Sequence, residues 1–141
     1  MHEIEQILDK ILQSRWLTTI DGVGKKTAAI FLGELGNPTR FQRTNQVVAC
    51  FGWNPSSRRS ANYQRRINKI SKAGSQYGRY GMFNCAISWM LHCKPIRALY
   101  NSLREMGKSH DDAGTVIASK LTRICWAIVR DQKPFNDVAM I

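Results

Sequence analysis

The stretch Leu17-Thr18-Thr19-Ile20-Asp21-Gly22-Val23-Gly24-Lys25-Lys26-Thr27-Ala28-Ala29, followed by Ile30-Phe31-Leu32-Gly33-Glu34-Leu35, decides the reading of the fold. Gly22 and Gly24, two residues apart, permit a tight turn with no side chains in the way. An apolar helix follows, so the backbone N–H groups at its start are free to face an anion, with Lys25 and Lys26 beside them. The competing reading is a glycine-rich helix start used only for packing. The G-x-x-x-x-G-K-[ST] spacing of a nucleotide-binding P-loop is absent.

The rest of the chain also reads as helices. Upstream, Ile4, Ile7, Leu8, Ile11 and Leu12 form one stripe over Glu3 to Arg15, which predicts a docking helix. So short a helix is marginal alone, so it should pack on the domain or on another copy; a solvent-facing coiled-coil stub competes. Met1 stands just ahead of it, which fits a fragment start. Downstream, Gly36-Asn37-Pro38 ends the first helix, and Asn37 or Thr39 caps a short turn through Arg40 and Phe41. A short helix over Thr44 to Cys50 carries Val47, Val48 and Cys50 inward, and Phe51-Gly52-Trp53-Asn54-Pro55 breaks it. Trp53 reads as a core plug rather than a base-stacking platform.

Helix resumes after Gly74, with Ser75 as N-cap, and runs through Tyr77, Tyr80, Met82, Phe83, Ala86, Ile87, Met90 and Leu91 to His92 as the central buried element. Pro95 starts another, Ile96 to Met106, with Leu99, Tyr100 and Leu103 inward and Gly107 as its stop. The last long helix, His110 to Arg130, has Asp111 and Asp112 early and Arg123 and Arg130 late, matching the helix dipole. Its inward face is Val116, Ile117, Leu121, Ile124, Cys125 and Ile128. The chain after Pro134 reads as an unstructured tail. The expectation is an all-α fold: a docking helix over 1–16, one compact helical domain over 17–136, and a tail at 137–141.

Charge is concentrated rather than spread. Between Glu34 and Glu105 there are twelve Lys or Arg and no acid, while the flanks hold nine bases against ten acids. A solvated face would normally mix both signs; this distribution is that of a surface for a polyanion. Nucleic acid fits better than an anionic membrane or an acidic protein. Within the span, Arg58 to Arg79 carries seven cations, Arg58, Arg59, Arg65, Arg66, Lys69, Lys72 and Arg79, and no carboxylate. From Arg58 to Lys72 it lacks a helical apolar period and reads as an extended or hairpin-like basic loop. Ser60 sits directly behind an arginine pair. A serine hydroxyl in that setting has the chemistry to attack a phosphodiester, with arginines neutralising phosphoryl oxygens. No His, Asp or Glu lies near it in sequence to act as a base. Alternatively, Ser60 merely hydrogen-bonds in a binding loop.

The net charge is +11 with 43% hydrophobic residues, the range of a folded globular chain rather than a disordered one. No run approaches the about 18 apolar residues of a membrane span, and the acidic N-terminus is unlike a signal peptide. A soluble cytosolic protein is expected. Cys50, Cys85, Cys93 and Cys125 lack C-x-x-C spacing, so neither disulfides nor zinc is expected. The adjacent His92 and Cys93 point about 100° apart on a helix and make a poor metal pair.

The turn at Gly22 and Gly24 resembles the hairpin of a helix-hairpin-helix DNA-binding motif, which contacts phosphates without regard to base sequence; Gly22, Gly24, Lys25, Lys26 and Thr27 carry that resemblance. Three blocks read in order, LTTIDGVGKKTAAIFLGELGNPTRF, VACFGWNPSSRRSANYQRRINKISKAGSQYGR and ASKLTRICWAIVRDQKPF, resemble the C-terminal transposase domain of insertion-sequence recombinases. Those enzymes pair it with a Holliday-junction-resolvase-like carboxylate domain, a plan shared by the Piv-type DNA invertases. The resemblance covers about residues 17 to 136. It implies a DNA recombinase of a mobile element, associated with the bacterial nucleoid, oligomeric in its full-length form, and in several family members directed by a structured guide RNA.

The family places a nucleophilic serine five residues after the proline of a G-x-x-P loop, usually within Ser-Ser-Gly. Here that loop is Gly52-Trp53-Asn54-Pro55 and the serine is Ser60, with Arg59 and Ala61 in place of the flanking Ser and Gly. Ile70-Ser71-Lys72-Ala73-Gly74 fits the family's I-[ST]-K-R-G block except at Ala73. The resemblance further implies that Mg is held by carboxylates of the other domain, that this chain holds no cofactor or metal, and that it is inactive alone. The reading from a different class is a non-catalytic helix-hairpin-helix module for DNA or RNA, with a basic ribosome-associated protein as a third.

Overall fold

The computed structural model describes residues 2–53 and 76–136. Among them are six α-helices, one 3-10 turn and no strand: α1 (His2–Leu17), α2 (Lys25–Leu35), the turn Pro38–Arg40, α3 (Thr44–Cys50), α4 (Gln76–His92), α5 (Lys94–Glu105) and α6 (His110–Asp131). The fold is all-α, as its sequence periodicity requires.

Two long helices, α4 and α6, form the centre and make the most extensive contact in the molecule. Along α6, Ile117, Leu121, Ile124, Cys125 and Ile128 are buried, together with Trp126 and Val129, while Val116 is only half-buried. Ser109 caps this helix by accepting from the Asp112 N–H at 3.1 Å. The buried face of α4 is Met82, Cys85, Ala86 and Trp89, continuing to Cys93 beyond its end. Tyr80 and Leu91, expected inside, are exposed. The spacing of three, four and seven residues from Met82 selects Cys85, Ala86 and Trp89 instead. The aromatic at 89 dominates the register because burying its area contributes more than any neighbour.

Close approach of helices is bought with glycine. A β-carbon on Gly78 would stand 2.9 Å from Glu34 Cγ, and one on Gly81 3.2 Å from Ile30 Cδ1, so α4 lies directly on α2. On the other side, one on Gly114 of α6 would meet the Phe83 ring at 2.6 Å. Phe31 of α2 stacks on Phe51 with ring centroids 5.3 Å apart. Each fully buried Leu, Ile or Phe contributes about 1.5–3 kcal/mol, and one continuous core collects them from the hairpin and from helices α2 to α6.

The two chain ends differ in how much they bury. Of the α1 stripe, Ile7, Ile11 and Leu12 are 57%, 47% and 46% exposed, so these three side chains lie outside the core; the side chains of Ile4 and Leu8 lie outside the described set. Among its described side chains, Leu17 enters the core and Trp16 packs against it. The tail, in contrast, folds back as far as it is described: the Phe135 N–H donates to Thr19 Oγ1 at 2.8 Å, and its ring meets Trp89 edge-on at 6.4 Å. An aromatic one residue beyond Pro134 has enough apolar area to hold the segment down.

Candidate nucleic-acid interface

Seven residues, Thr18 to Gly24, connect α1 to α2. Leu17, Ile20 and Val23 are buried and fasten the connection to the core, leaving the residues between them to the surface. Thr18 and Thr19 hydroxyls donate to the carbonyls of Arg15 and Trp16, closing the end of α1.

The two glycines do different things. Gly22 has φ +96, and a β-carbon there would lie 2.8 Å from the Trp89 nitrogen and 2.9 Å from its Cα. It is the point at which the hairpin touches the α4 backbone, and the Cys85 thiol donates to its carbonyl at 3.4 Å. Gly24, at φ −91 and ψ 175, is the N-cap of α2, and a β-carbon there would have no atom within 4 Å. No side chain caps this helix start and no acid stands in its first turn. The first intrahelical bond runs from the Ala28 N–H to the Gly24 carbonyl, so the amides of Lys25, Lys26 and Thr27 have no partner within the helix. Gly24, Lys25 and Lys26 are all exposed. Thr27 instead is half-buried, close enough to Cys85 for its side chain to favour the thiolate against the effect of burial. Of the five hairpin residues, the structure therefore assembles Gly24, Lys25 and Lys26 on an open edge and places Gly22 and Thr27 against α4.

Such an edge suits an anion. Three amides without a helical partner lie where the helix dipole is positive, Lys25 and Lys26 are exposed in the same turn, and no side chain caps the helix start.

Arg79 is half-buried on α4 and lies over Gly52, whose φ is +77; a β-carbon on Gly52 would stand 2.5 Å from the guanidinium Nη1. Gly52 and Arg79 flank the segment 54–75, so this contact closes the two described ends of the segment on each other. Trp53 is 8% exposed, and its indole N–H donates to Thr122 Oγ1 at 3.1 Å. It is a core residue, as expected, rather than a stacking platform. Ser60, Arg58, Arg59, Arg65, Arg66, Lys69 and Lys72 lie outside the described residues.

Several cations that the sequence pools into one basic span have structural duties. Arg40 donates to the Glu34 carbonyl at 3.2 Å at the end of α2 and stands over the Phe41 ring at 4.5 Å. Arg97 donates to the Leu91 carbonyl at 2.7 Å, and Arg104 to the Lys108 carbonyl at 2.9 Å. Arg40 and Arg97 cover carbonyls left open in the last turns of α2 and α4, and Arg104 covers one in the connection after α5.

Two of the thiols, Cys85 and Cys125, are buried and hold their protons tightly. Burial pushes Cys85 up to about 11, against a lowering by Thr27, and burial with the neighbouring Cys85 raises Cys125 well above its ordinary value. All four cysteines are free. Among the described residues no three His, Cys, Asp or Glu side chains group to hold a metal ion; His92 Nδ1 lies 2.8 Å from the Ser88 carbonyl. No helix among them is long and apolar enough to cross a membrane.

A sequence profile described as the Transposase IS116/IS110/IS902 family matches residues 14–101. The chain is similar to the insertion element IS110 43.6 kDa protein of Streptomyces coelicolor, 26% identical over 129 residues, covering 92% of this chain and 32% of that one. It is also similar to the pilin gene-inverting proteins of Moraxella lacunata, 24% identical with 96% of this chain and 44% of that one covered, and of Moraxella bovis, 26% identical with 85% and 38% covered. The chain thus spans between a third and a half of the length of these relatives.

Proposed function

The chain belongs to the IS116/IS110/IS902 family of transposases, and from that premise we propose that it is the DNA-binding, nucleophile-bearing part of a transposase or site-specific recombinase. The observation that carries the binding half is the uncapped, acid-free start of α2 at Gly24, with Lys25 and Lys26 exposed beside it. Working as a helix-hairpin-helix element, it holds a DNA phosphate on backbone amides. The basic residues Arg58, Arg59, Arg65, Arg66, Lys69, Lys72 and Arg79 extend the grip along the same polyanion.

In the chemical half, Ser60 Oγ attacks a DNA phosphorus atom. A new Ser–O–P ester forms as one bridging P–O bond breaks, and the displaced deoxyribose hydroxyl takes up a proton. The ester preserves the energy of the broken bond, so attack by another strand's hydroxyl rejoins the backbone and releases the serine. The residues present do not suit Mg: the span from Leu35 to Arg104 has no carboxylate, and the described residues form no metal-binding group. Carboxylates that bind Mg and accept the serine proton belong to a separate domain of the longer protein, and this chain alone is inactive. Support for that division is the chain's coverage of only 32% to 44% of its relatives. A homo-oligomer and a structured guide RNA complete the proposed assembly.

Gly24→Asp separates binding from packing. It supplies the missing cap and should stabilise α2 by about 0.5–1 kcal/mol while weakening duplex DNA binding about tenfold, measured by thermal melting and fluorescence anisotropy. Unchanged affinity would remove the hairpin from the interface. In the full-length protein, Ser60→Ala should retain DNA binding and lose the covalent protein–DNA adduct. An adduct that survives the substitution excludes Ser60, and a wild-type protein that binds but never forms an adduct returns the chain to a non-catalytic binding module.

A further inference from the structure

Helix α5 carries a basic face that neither the hairpin nor the segment 54–75 accounts for. Lys94, Arg97, Asn101 and Arg104 follow at intervals of three, four and three residues, and Lys108 continues the series beyond the helix end. At 3.6 residues per turn the four helical positions fall within an arc of about 80°. All four are exposed, while Ile96 and Leu103 occupy the opposite, buried face. From Lys94 to Arg104 the stripe runs about 15 Å, which spans roughly four phosphates of one strand at 3.4 Å of axis each.

This is not how a merely solvated helix face is built. The only carboxylate on α5 is Glu105, at its last position, and among the described residues none of these cations is in an ion pair. Lys94 stands in the first turn, where the dipole disfavours a cation. Arg97 and Arg104 are held by single bonds to the carbonyls of Leu91 and Lys108. Each retains further N–H donors, and a guanidinium already held loses less freedom on meeting a phosphate.

We propose that this face of α5 is a second contact for duplex DNA, gripping its phosphate backbone separately from the hairpin. The proposal rests on the DNA-binding reading of the chain. Duplex rather than single-stranded nucleic acid is the partner because the stripe carries cations at regular intervals and no aromatic ring on which an unpaired base would stack.

The test is fluorescence anisotropy of the 141-residue chain with duplex DNA and with duplex RNA of the same sequence, at several salt concentrations. Asn101→Glu places an acid mid-stripe without touching a carbonyl-capping arginine, and should leave thermal melting unchanged. Expected are a five- to tenfold loss of DNA affinity at about 0.1 M salt, a salt slope shallower by about one, and a tighter complex for Glu105→Gln. The same charge change at Gln13→Glu on α1 should cost less than about twofold. Combined with Lys25→Ala/Lys26→Ala, the Asn101→Glu loss should multiply, as for independent sites. Equal losses for Asn101→Glu and Gln13→Glu, or a loss confined to RNA, would overturn the proposal. If Lys25→Ala/Lys26→Ala weakens DNA binding and Asn101→Glu does not, the α5 contact falls and the DNA reading stands. If the unaltered chain shows no DNA affinity, both fall.

Discussion

Gly22 and Gly24 are two residues apart and look interchangeable in a G-x-G pattern, yet their surroundings oppose each other. Gly22 needs φ +96 and has the Trp89 backbone where a β-carbon would go, whereas Gly24 has ordinary extended backbone and open space. Gly22→Ala should therefore destabilise the fold by about 1–3 kcal/mol. Gly24→Ala should cost under about 1 kcal/mol. Paired urea titrations check this, and equal losses would mean that the hairpin does not rest on α4. That Gly24, Lys25 and Lys26 stand together at the start of a helix was legible from the turn pattern alone. That Thr27 lies half-buried close to Cys85 was not, because the turn fixes which amides are open but not which way a side chain in the first helical turn rolls.

Elements are joined to one another by a few polar ties set in an apolar core. Among the buried indoles of Trp53, Trp89 and Trp126, only that of Trp53 has a partner among the described residues, Thr122 of α6. Thr122 Oγ1 in turn donates to the Ala118 carbonyl at 2.8 Å. This bond fixes the residue just before the segment 54–75 to the central helix. Thr122→Val keeps the shape, leaves the indole N–H unpaired, and should lower stability by about 1–3 kcal/mol in denaturant unfolding; a loss below about 0.5 kcal/mol would show that the tie is not used. The helices themselves were readable from apolar spacing: α3 and α4 begin and end where expected, the ends of α1, α5 and α6 lie within two residues, and α2 begins five residues ahead of its apolar run at Ile30. The buried register of α4 was not, since Tyr80 and Leu91 satisfy a helical period as well as Cys85 and Trp89 do. Only packing against α2 and α6 chooses between them.

At the scale of the whole molecule, two buried thiols make stability depend on alkaline pH. An unfolded cysteine ionises near 9.0, while Cys85 in the fold holds its proton to about 11, and Cys125 beyond its own ordinary value. The unfolded chain then binds fewer protons than the folded one, so stability is complete below pH 9 and falls as pH rises from there toward 11. Urea midpoints across that range should decline, and a Cys85→Ala/Cys125→Ala variant should show a flatter decline from its own starting value. An equal slope in both proteins would locate the alkaline sensitivity elsewhere.

What the sequence by itself determined is the class of fold and where along the chain its positive charge lies. Apolar spacing is a local property, and so is the run from Leu35 to Arg104 without a single acid; both survive any arrangement of the helices. What only the tertiary structure decided is how those charges are divided. Arg40, Arg97 and Arg104 reach carbonyls that lie four to six residues away in sequence, and α5 gathers a basic stripe on the side opposite its buried face. Gly52 meets Arg79 across the segment between them. A charge count sums over residues, but a phosphate is held by groups that share a surface, and which groups share one is settled when the core packs.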